Sequence, residues 1–389
     1  MSIRGKAFIA GAFEHPLREI PDASLAQIHA DVALGALADA GLSLDDVDGY
    51  FCAADAPGFG GISMAEYMGM RPRYVDTTES GGSSYVAHVG HAAAAIAVGK
   101  CRVALVTLAG KPRTGGSPPG GSMGDPQAPE TSFEVAYGPT TPSLYALAAK
   151  RHMHEFGTTS AQLAEIKVTA SRHAKHNPNA LLQKEVTVEE VLESPMVSDP
   201  LHRLDCCVVT DGGGAVVVVA PEIAQALERD CIKILGHGES PKHTDNGRVD
   251  LTYTGAVWSG PLAFEEAGTT PKDIDYASIY DSFTITVLET IEDLGFCEKG
   301  AGGPYVESGA LRAPDGELPL NTDGGGLCNN HPSNRGGMTK IIEAVRQLRD
   351  EANPAVQVGD CQLALAHGTG GSLGTRMGSA TLILGREDA

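Results

Sequence analysis

The residues best placed for chemistry lie between Asn321 and Gly337, NTDGGGLCNNHPSNRGG. Glycines run into Cys328-Asn329-Asn330-His331-Pro332, and two more glycines follow. Met338 to Ala352 comes next, with Ile341, Ile342, Val345 and Leu348 at helical spacing. His331 therefore sits in a glycine-rich loop that feeds a helix N-terminus. Such an end offers free backbone N–H groups and a partial positive charge, which suit a developing oxyanion. Pro332 fixes the local turn. The plain alternative is a tight connection whose glycines only serve positive φ and whose His is a solvated loop residue.

The elements that must position this loop recur. Ala40-Gly41 followed by Asp46-Val47-Asp48 is echoed, at one constant offset, by Ala267-Gly268 and Asp273-Ile274-Asp275. GKCRVALV from Gly99 is echoed by GDCQLALA from Gly359, and GGAVVVVA at 213–220 by GSATLILG at 378–385. The echoes keep their order, so the chain reads as two like halves, each alternating strand and helix. Such alternation predicts an α/β layered domain with mostly parallel strands. Ser24 is expected to cap a helix through Ala40 that Gly41 ends. The loop equivalent to that of His331 is Glu79 to Ser84, opening the Ala-rich helix Tyr85 to Val98. Pseudo-symmetry predicts that the two helix N-termini face one pocket.

Composition narrows the function classes. The 389 residues carry a net charge of -20, which argues against nucleic acid and anionic membrane surfaces as partners. With 42% hydrophobic residues there is enough for a real core. No apolar run reaches membrane-spanning length, and MSIRGKAFIAGAF reads as a first strand. Eight scattered cysteines with no zinc spacing predict free thiols in a reducing cytoplasm and no metal site.

The halves differ by an insertion over 110–203. It begins with KPRTGGSPPGGSMGDPQAPETS, read as a loop. Helices over 143–156 and 160–176 follow, expected as a cap over the sheet edge. They hold Lys150, Arg151, His152, His154, Lys167, Arg172, His173, Lys175 and His176, a candidate seat for an anionic ligand on an acidic protein. Each of these residues alone is better read as part of a solvated helix face.

The duplicated halves, the insertion with YALAAKRHMHEFGTTSAQLAEI and HAKHNPNA, the IYDSFT segment, GGGLCNNHP and the terminal HGTGGSLG resemble the thiolase superfamily. Within it, the chain resembles the sterol-carrier or lipid-transfer type of thiolase-like protein, across essentially its whole length. The resemblance implies a five-layer αβαβα sandwich, with 1–109 plus 204–220 as the first half, 110–203 as the inserted cap and 221–389 as the second half. It implies a homodimer or larger assembly acting on acyl-CoA thioesters. Coenzyme A would then enter as part of the substrate, with no tightly bound cofactor. Lys150, Arg151, Asn330, Gly370 and Gly371 are the residues expected to hold it. Relatives in this branch also pair with a small OB-fold, zinc-ribbon-like protein.

The sequence departs from that family at its nucleophile. The ESGGSSY loop puts Gly82 or Ser83 where a thiolase has its Cys, and AHGTGGSLG puts His367 or Gly368 where the second Cys stands. Thiolysis needs a nucleophile that can hold an acyl group. Ser83 is the nearest substitute, and a helix N-cap is its simpler role. An oxyanion pocket of His331 and the Gly370 and Gly371 region suffices for enolate chemistry. The expected reaction is therefore retro-aldol cleavage of a β-hydroxyacyl-CoA. The resemblance implies Tyr280 as general base, Asp281 as an orienting acceptor and His367 as an acid or a buried, satisfied histidine. An ordinary Tyr titrates near 10, so the pocket must lower that value or relay the proton. Two alternatives stand beside this: acetyl-CoA acetyltransferase activity without a Cys, and a non-catalytic acyl-CoA-binding or scaffold subunit.

Overall fold

A computed structural model describes residues 2–115, 137–243, 245, 248–332, 336–371 and 377–387. The first half holds β1 (Phe8–Glu14), α1 (Leu25–Ala40), β2 (Gly49–Phe51), α2 (Gly61–Met68), β3 (Tyr74–Asp76), α3 (Ser84–Ala97) and β4 (Val103–Gly110). The insertion contributes α4 (Thr141–Phe156), α5 (Ser160–Ala174), α6 (Val188–Glu193) and the hairpin β5 (Met196–Ser198) to β6 (Leu201–His202). β7 (Gly212–Val219) closes the first half, and α7 (Pro221–Ala224) links it to the second. The second half holds β8 (Ile232–Lys242), α8 (Ala256–Ala267), β9 (Tyr276–Ile279), α9 (Thr284–Asp293), α10 (Gly302–Glu307), α11 (Gly325–Cys328), α12 (Gly337–Leu348), β10 (Leu363–Gly371) and β11 (Met377–Gly385). Most of the expected Pro/Gly/Ser loop, as well as 333–335 and 372–376 of the two glycine-rich motifs, lies outside the described residues.

The strands run in the order β3-β2-β4-β7-β1-β8-β11-β10-β9. From the central β1–β8 junction outward, each half repeats first strand, last strand, next-to-last strand, second strand, the insertion's hairpin set aside. The duplication seen in the sequence is thus a spatial pseudo-symmetry. The expectation of mostly parallel strands is corrected. β1 with β7, β4 with β7, β8 with β11 and β10 with β11 are all antiparallel, whereas β2 with β3, β2 with β4 and β9 with β10 are parallel. In the second half the last strand follows β10 after a short connection, which imposes a hairpin rather than a crossover.

Three apolar clusters define five layers. The central one joins α3 and α12 to the inner faces of both halves, through Val86, Val89, Ile341 and Val345 against Val106, Val218, Ala366 and Leu382. α1 and α2 cover the outer face of the first half, and α8 and α9 that of the second. Strands read as continuous apolar runs because both faces are covered. Ser24 caps α1 by accepting from the Gln27 N–H, and Gly41 ends it at φ 70°. The insertion packs on the second half: Tyr145, Ala149, Leu163 and Ile166 of α4 and α5 share one cluster with α9, α10 and Ala277 and Ile279 of the edge strand β9. Their apolar stripes needed a partner, and the buried face of α9 supplied it. Among the described residues no helix is long and apolar enough to cross a membrane, and no group of His, Cys, Asp and Glu could hold a metal ion.

Candidate active site

α3 and α12 start against one another. A Cβ on Gly337 would lie 2.2 Å from the Gly82 carbonyl oxygen, and one on Gly368 would lie 2.8 Å from the same atom. Glycine is required at this three-way meeting because the backbones leave no room for a side chain. The two helix N-termini thus bound one site, beside the carboxyl end of β9.

Tyr280 follows directly on β9. Its backbone N–H donates to the His367 carbonyl at 3.0 Å, continuing the pairing with β10. Asn321 brackets the preceding residue: its side chain accepts from Ile279 N–H at 2.9 Å and donates to Ile279 C=O at 2.8 Å. So anchored, the Tyr280 ring turns toward Gly82 and its hydroxyl lies 2.9 Å from His331 Nε2. The two rings meet edge to face, 5.4 Å apart. Burial, followed by the neighbouring Cys207 and Tyr145, pushes the Tyr280 phenol well above its usual range; the Gly336 N–H at the start of α12 opposes this. Burial also pulls His331 down to about 4. At neutral pH the pair is therefore a phenol facing a neutral imidazole, with the phenol donating to Nε2 in the tautomer that is protonated at Nδ1.

Asp281 lies behind this pair. Its carboxylate accepts from Gly326 N–H at 2.8 Å and Leu327 N–H at 3.1 Å, capping the turn of α11. It also accepts from Lys340 Nζ at 2.7 Å, and both side chains are 1% exposed. The ion pair ties α12 to the loop that carries His331. Lys340→Met should cost about 3–5 kcal/mol of stability, because it leaves a buried carboxylate without its cation. Urea unfolding followed by circular dichroism measures this; a loss below about 1 kcal/mol would show that the two N–H groups satisfy Asp281 alone.

The His331 backbone is held from the other side. Its N–H donates to Thr210 Oγ1 at 3.0 Å, and that hydroxyl donates to Asn330 Oδ1 at 2.6 Å. Asn330 Nδ2 in turn donates to Glu14 at 3.0 Å. Asn330 is thus 1% exposed and bound to protein groups on both sides of its amide. Both sides of its amide are thus engaged by the scaffold of the loop. Asn329 is likewise engaged by Arg18 at 2.6 Å and Asp323 at 2.8 Å.

Two expected roles are corrected. Ser83 stands at the start of α3 but its hydroxyl makes no capping bond. It donates to the Ser80 carbonyl at 2.8 Å, since the preceding Gly81–Ser83 turn brings that oxygen within reach. A Cβ on Gly378 would lie 2.6 Å from Ser83 Oγ, so this hydroxyl faces β11 rather than Tyr280. His367 also points away. Neighbouring Gly368 faces Gly82 and Val86, so strand alternation sends the imidazole to the opposite face of the sheet. There its Nδ1 meets Thr381 Oγ1 at 2.9 Å, which in turn meets Ser259 of α8 at 2.9 Å. Burial pulls His367 to about 3. Gly370 and Gly371 do border the site: Gly370 packs on the Ser80 carbonyl, and the Gly371 carbonyl accepts from Tyr145 at 3.3 Å.

The basic cluster of the insertion does not form one free patch. Lys150 pairs with Asp199 at 2.7 Å and Arg151 with Glu155, both at the surface. Arg172 and Lys175 share Glu185. His152 is buried against Glu292 at 3.0 Å, and Lys167 is buried as well. Helical periodicity scattered these residues over different faces, and acidic partners, from Glu155 one turn away to Glu292 of α9, pair with several of them. Lys340, Thr210 and Cys207 border the candidate site and were passed over in the sequence reading, which named Asn321 only as the start of its glycine-rich stretch. Lys340 alone had a signal, a lysine one turn after Gly336 in a helix otherwise buried.

The Thiolase C-terminal domain-like family model matches residues 238–386. An acetyl-CoA acetyltransferase from Methanothermobacter thermautotrophicus is 32% identical over 94% of this chain and 97% of its own. A steroid side-chain-cleaving aldolase from Thermomonospora curvata is 33% identical over 98% of each chain. Among solved structures, the Ltp2-ChsH2(DUF35) aldolase superposes with a TM-score of 0.89 at 31% identity, covering 99% of each chain.

Proposed function

The chain belongs to the thiolase superfamily, and from that premise we propose that it cleaves a β-hydroxyacyl-CoA by a retro-aldol reaction, giving a ketone or aldehyde and a shorter acyl-CoA. One observation carries this reading. A Cβ on Gly82 would lie 2.2 Å from the Thr369 carbonyl and 2.7 Å from the Tyr280 ring. The Tyr280 ring fills the space where a nucleophilic side chain would project. The site offers a proton acceptor pair, and among the described residues of the Glu79–Ser84 loop no side chain projects toward it to hold an acyl group. The similarity to a side-chain-cleaving aldolase and to the Ltp2 aldolase supports the same chemistry; the similarity to an acetyl-CoA acetyltransferase fits it less well.

The substrate hydroxyl gives its proton to the Tyr280 oxygen as the Tyr280 proton passes to His331 Nε2. No free phenolate accumulates, which suits a phenol whose pKa burial has raised. The Cα–Cβ bond breaks, the β-carbon becomes the carbonyl product, and the electron pair forms the thioester enolate. Protonated His331 then stands next to the enolate charge and returns its proton through Tyr280 to the α-carbon. Asp281 orients the loop and takes no proton. Coenzyme A arrives as part of the substrate. Lys150 and Arg151 can meet its phosphates only by releasing Asp199 and Glu155.

His331 in this scheme must be neutral to work. Its acceptor is lost as pH falls through about 4, below the ordinary value of 6.5. The acid limb of the kcat profile should therefore lie near pH 4. A limb at 6 to 7 would assign the base elsewhere. In stability the sign is the same: between 6.5 and 4 the unfolded chain takes up the proton first, so stability falls with pH across that window.

The likeness to an aldolase whose name pairs Ltp2 with ChsH2(DUF35) supports a DUF35 partner for this chain. A second copy is proposed along the edge strand β3, where Val75, Phe59 and Ile62 are exposed. The decisive experiment incubates the protein, alone and with a DUF35 protein encoded beside it, with steroid, aromatic and branched β-hydroxyacyl-CoAs and with acetoacetyl-CoA. Mass spectrometry should find carbonyl product and shortened acyl-CoA. Thiolysis of acetoacetyl-CoA with an isolable acyl-enzyme would replace this reading with acyl transfer.

A further inference from the structure

The loop carrying His331 rests on a second buried pair that the reaction does not use. Lys167 of α5 is 1% exposed, and Nζ donates to the Leu327 carbonyl at 2.6 Å and to Cys328 Sγ at 3.2 Å. Cys328 is fully buried. Its carbonyl accepts from the Leu182 N–H at 2.9 Å. Lys167 and Leu182 both line a cavity of about 460 Å³ between α5, the 182–186 segment, α6 and the turn after β6, with Lys184, Glu190 and Arg203 among its walls. A small polar oxidant entering this cavity meets the lysine that touches the thiol. Among the described residues Cys328 alone of the cysteines has a lysine nitrogen as hydrogen-bond partner. Burial pushes its thiol up, and the Lys167 charge opposes that.

We propose that Lys167 and Cys328 form an oxidative cross-linking site, closing a Cys–S–O–N–Lys bridge when the protein meets hydrogen peroxide. The first peroxide transfers oxygen to sulfur, giving a sulfenic acid and water. A second peroxide supplies the remaining oxidation as the sulfenyl oxygen bonds to the lysine nitrogen. In net terms one thiol, one ammonium and two peroxides give the bridge, three waters and one proton. The S–H bond, two N–H bonds and both peroxide O–O bonds break; S–O and O–N bonds form, and the remaining peroxide oxygens leave as water. Sulfur and nitrogen each lose two electrons, and the peroxide oxygens accept all four. A single bridging oxygen spans the observed gap with a small shift, whereas a direct S–N bond would require a much larger one. The bridge abolishes the ammonium that Leu327 accepts from and pins the α11 turn that Asp281 caps. The loop just beyond carries His331, so the cross-link reaches the site through its scaffold.

The test treats the purified protein with hydrogen peroxide, digests it with trypsin and maps the peptides by mass spectrometry. The peptides holding Lys167 and Cys328 should appear joined, with one oxygen gained and two hydrogens lost, and should separate again after excess dithiothreitol. The joined species should be absent from Lys167→Arg and from Cys328→Ser, with circular dichroism checking that each variant folds. The unmodified chain decides the matter even if a variant misfolds. Cys328 recovered as a sulfinic acid with Lys167 free, no linked peptide at any peroxide dose, or a link that persists in Lys167→Arg would each overturn the proposal. A second readout rests on the proposed function: retro-aldol turnover should fall with the cross-linked fraction and return on reduction. Full cross-linking with unchanged turnover would overturn the link to His331. The peptide map is independent of that reading, so the two failures are distinguishable.

Discussion

Replacing Tyr280 with Phe should lower retro-aldol turnover by roughly 10²–10⁴-fold and leave KM nearly unchanged. The ring, which packs against Gly82, stays; only the hydroxyl 2.9 Å from His331 Nε2 is lost. The fold and the binding surface for the thioester are therefore retained, and the deficit falls on the step in which the substrate proton moves. Steady-state kinetics on any β-hydroxyacyl-CoA that the protein cleaves would measure it. Ser83→Ala is the matched control. Its hydroxyl donates to the Ser80 carbonyl, so its loss should cost about 1 kcal/mol of stability and leave turnover intact. A silent Tyr280→Phe together with an inactive Ser83→Ala would reverse the assignment and restore an oxygen nucleophile.

His331→Ala should reduce turnover by roughly 10²–10³-fold. The imidazole both receives the relayed proton and carries the positive charge beside the enolate. Tyr280 without it is a buried phenol whose anion the Gly336 N–H favours, and burial dominates. Because the two groups act in one proton transfer, the double variant should lose far less than the product of the single losses. Losses that multiply in full would mean that the residues act in separate steps. The His331 variant should fold, since the loop is held by Thr210, Asn330, Asp281 and Lys340 through contacts that bypass the imidazole. Urea unfolding alongside the kinetics separates a catalytic loss from a structural one.

How much of this was legible in the chain depends on the range of the interactions involved. The duplication, the capped first helix and the glycine-rich start of α12 are local patterns, written in periodicity and in residues that terminate or turn the backbone, and they could be read directly. The absence of a cysteine from the Glu79–Ser84 loop was equally plain. The sequence by itself thus determined two layered halves and the loop that presents His331. It did not determine strand direction, because a hairpin return and a crossover can have the same alternation of elements. Nor did it determine which face of β10 His367 takes, since a single residue of register decides that. The basic cluster misled because charge in a sequence carries no information about partners such as Asp199, Glu185 and Glu292. Only the tertiary structure brought Tyr280 to His331 across 51 positions, closed the space above Gly82 and buried Lys340 against Asp281. Gly82 meets the Tyr280 ring where the two halves pack back to back, and the other two pairs join segments of the second half that are far apart in sequence; they escape sequence reading because each depends on tertiary packing that no local pattern records.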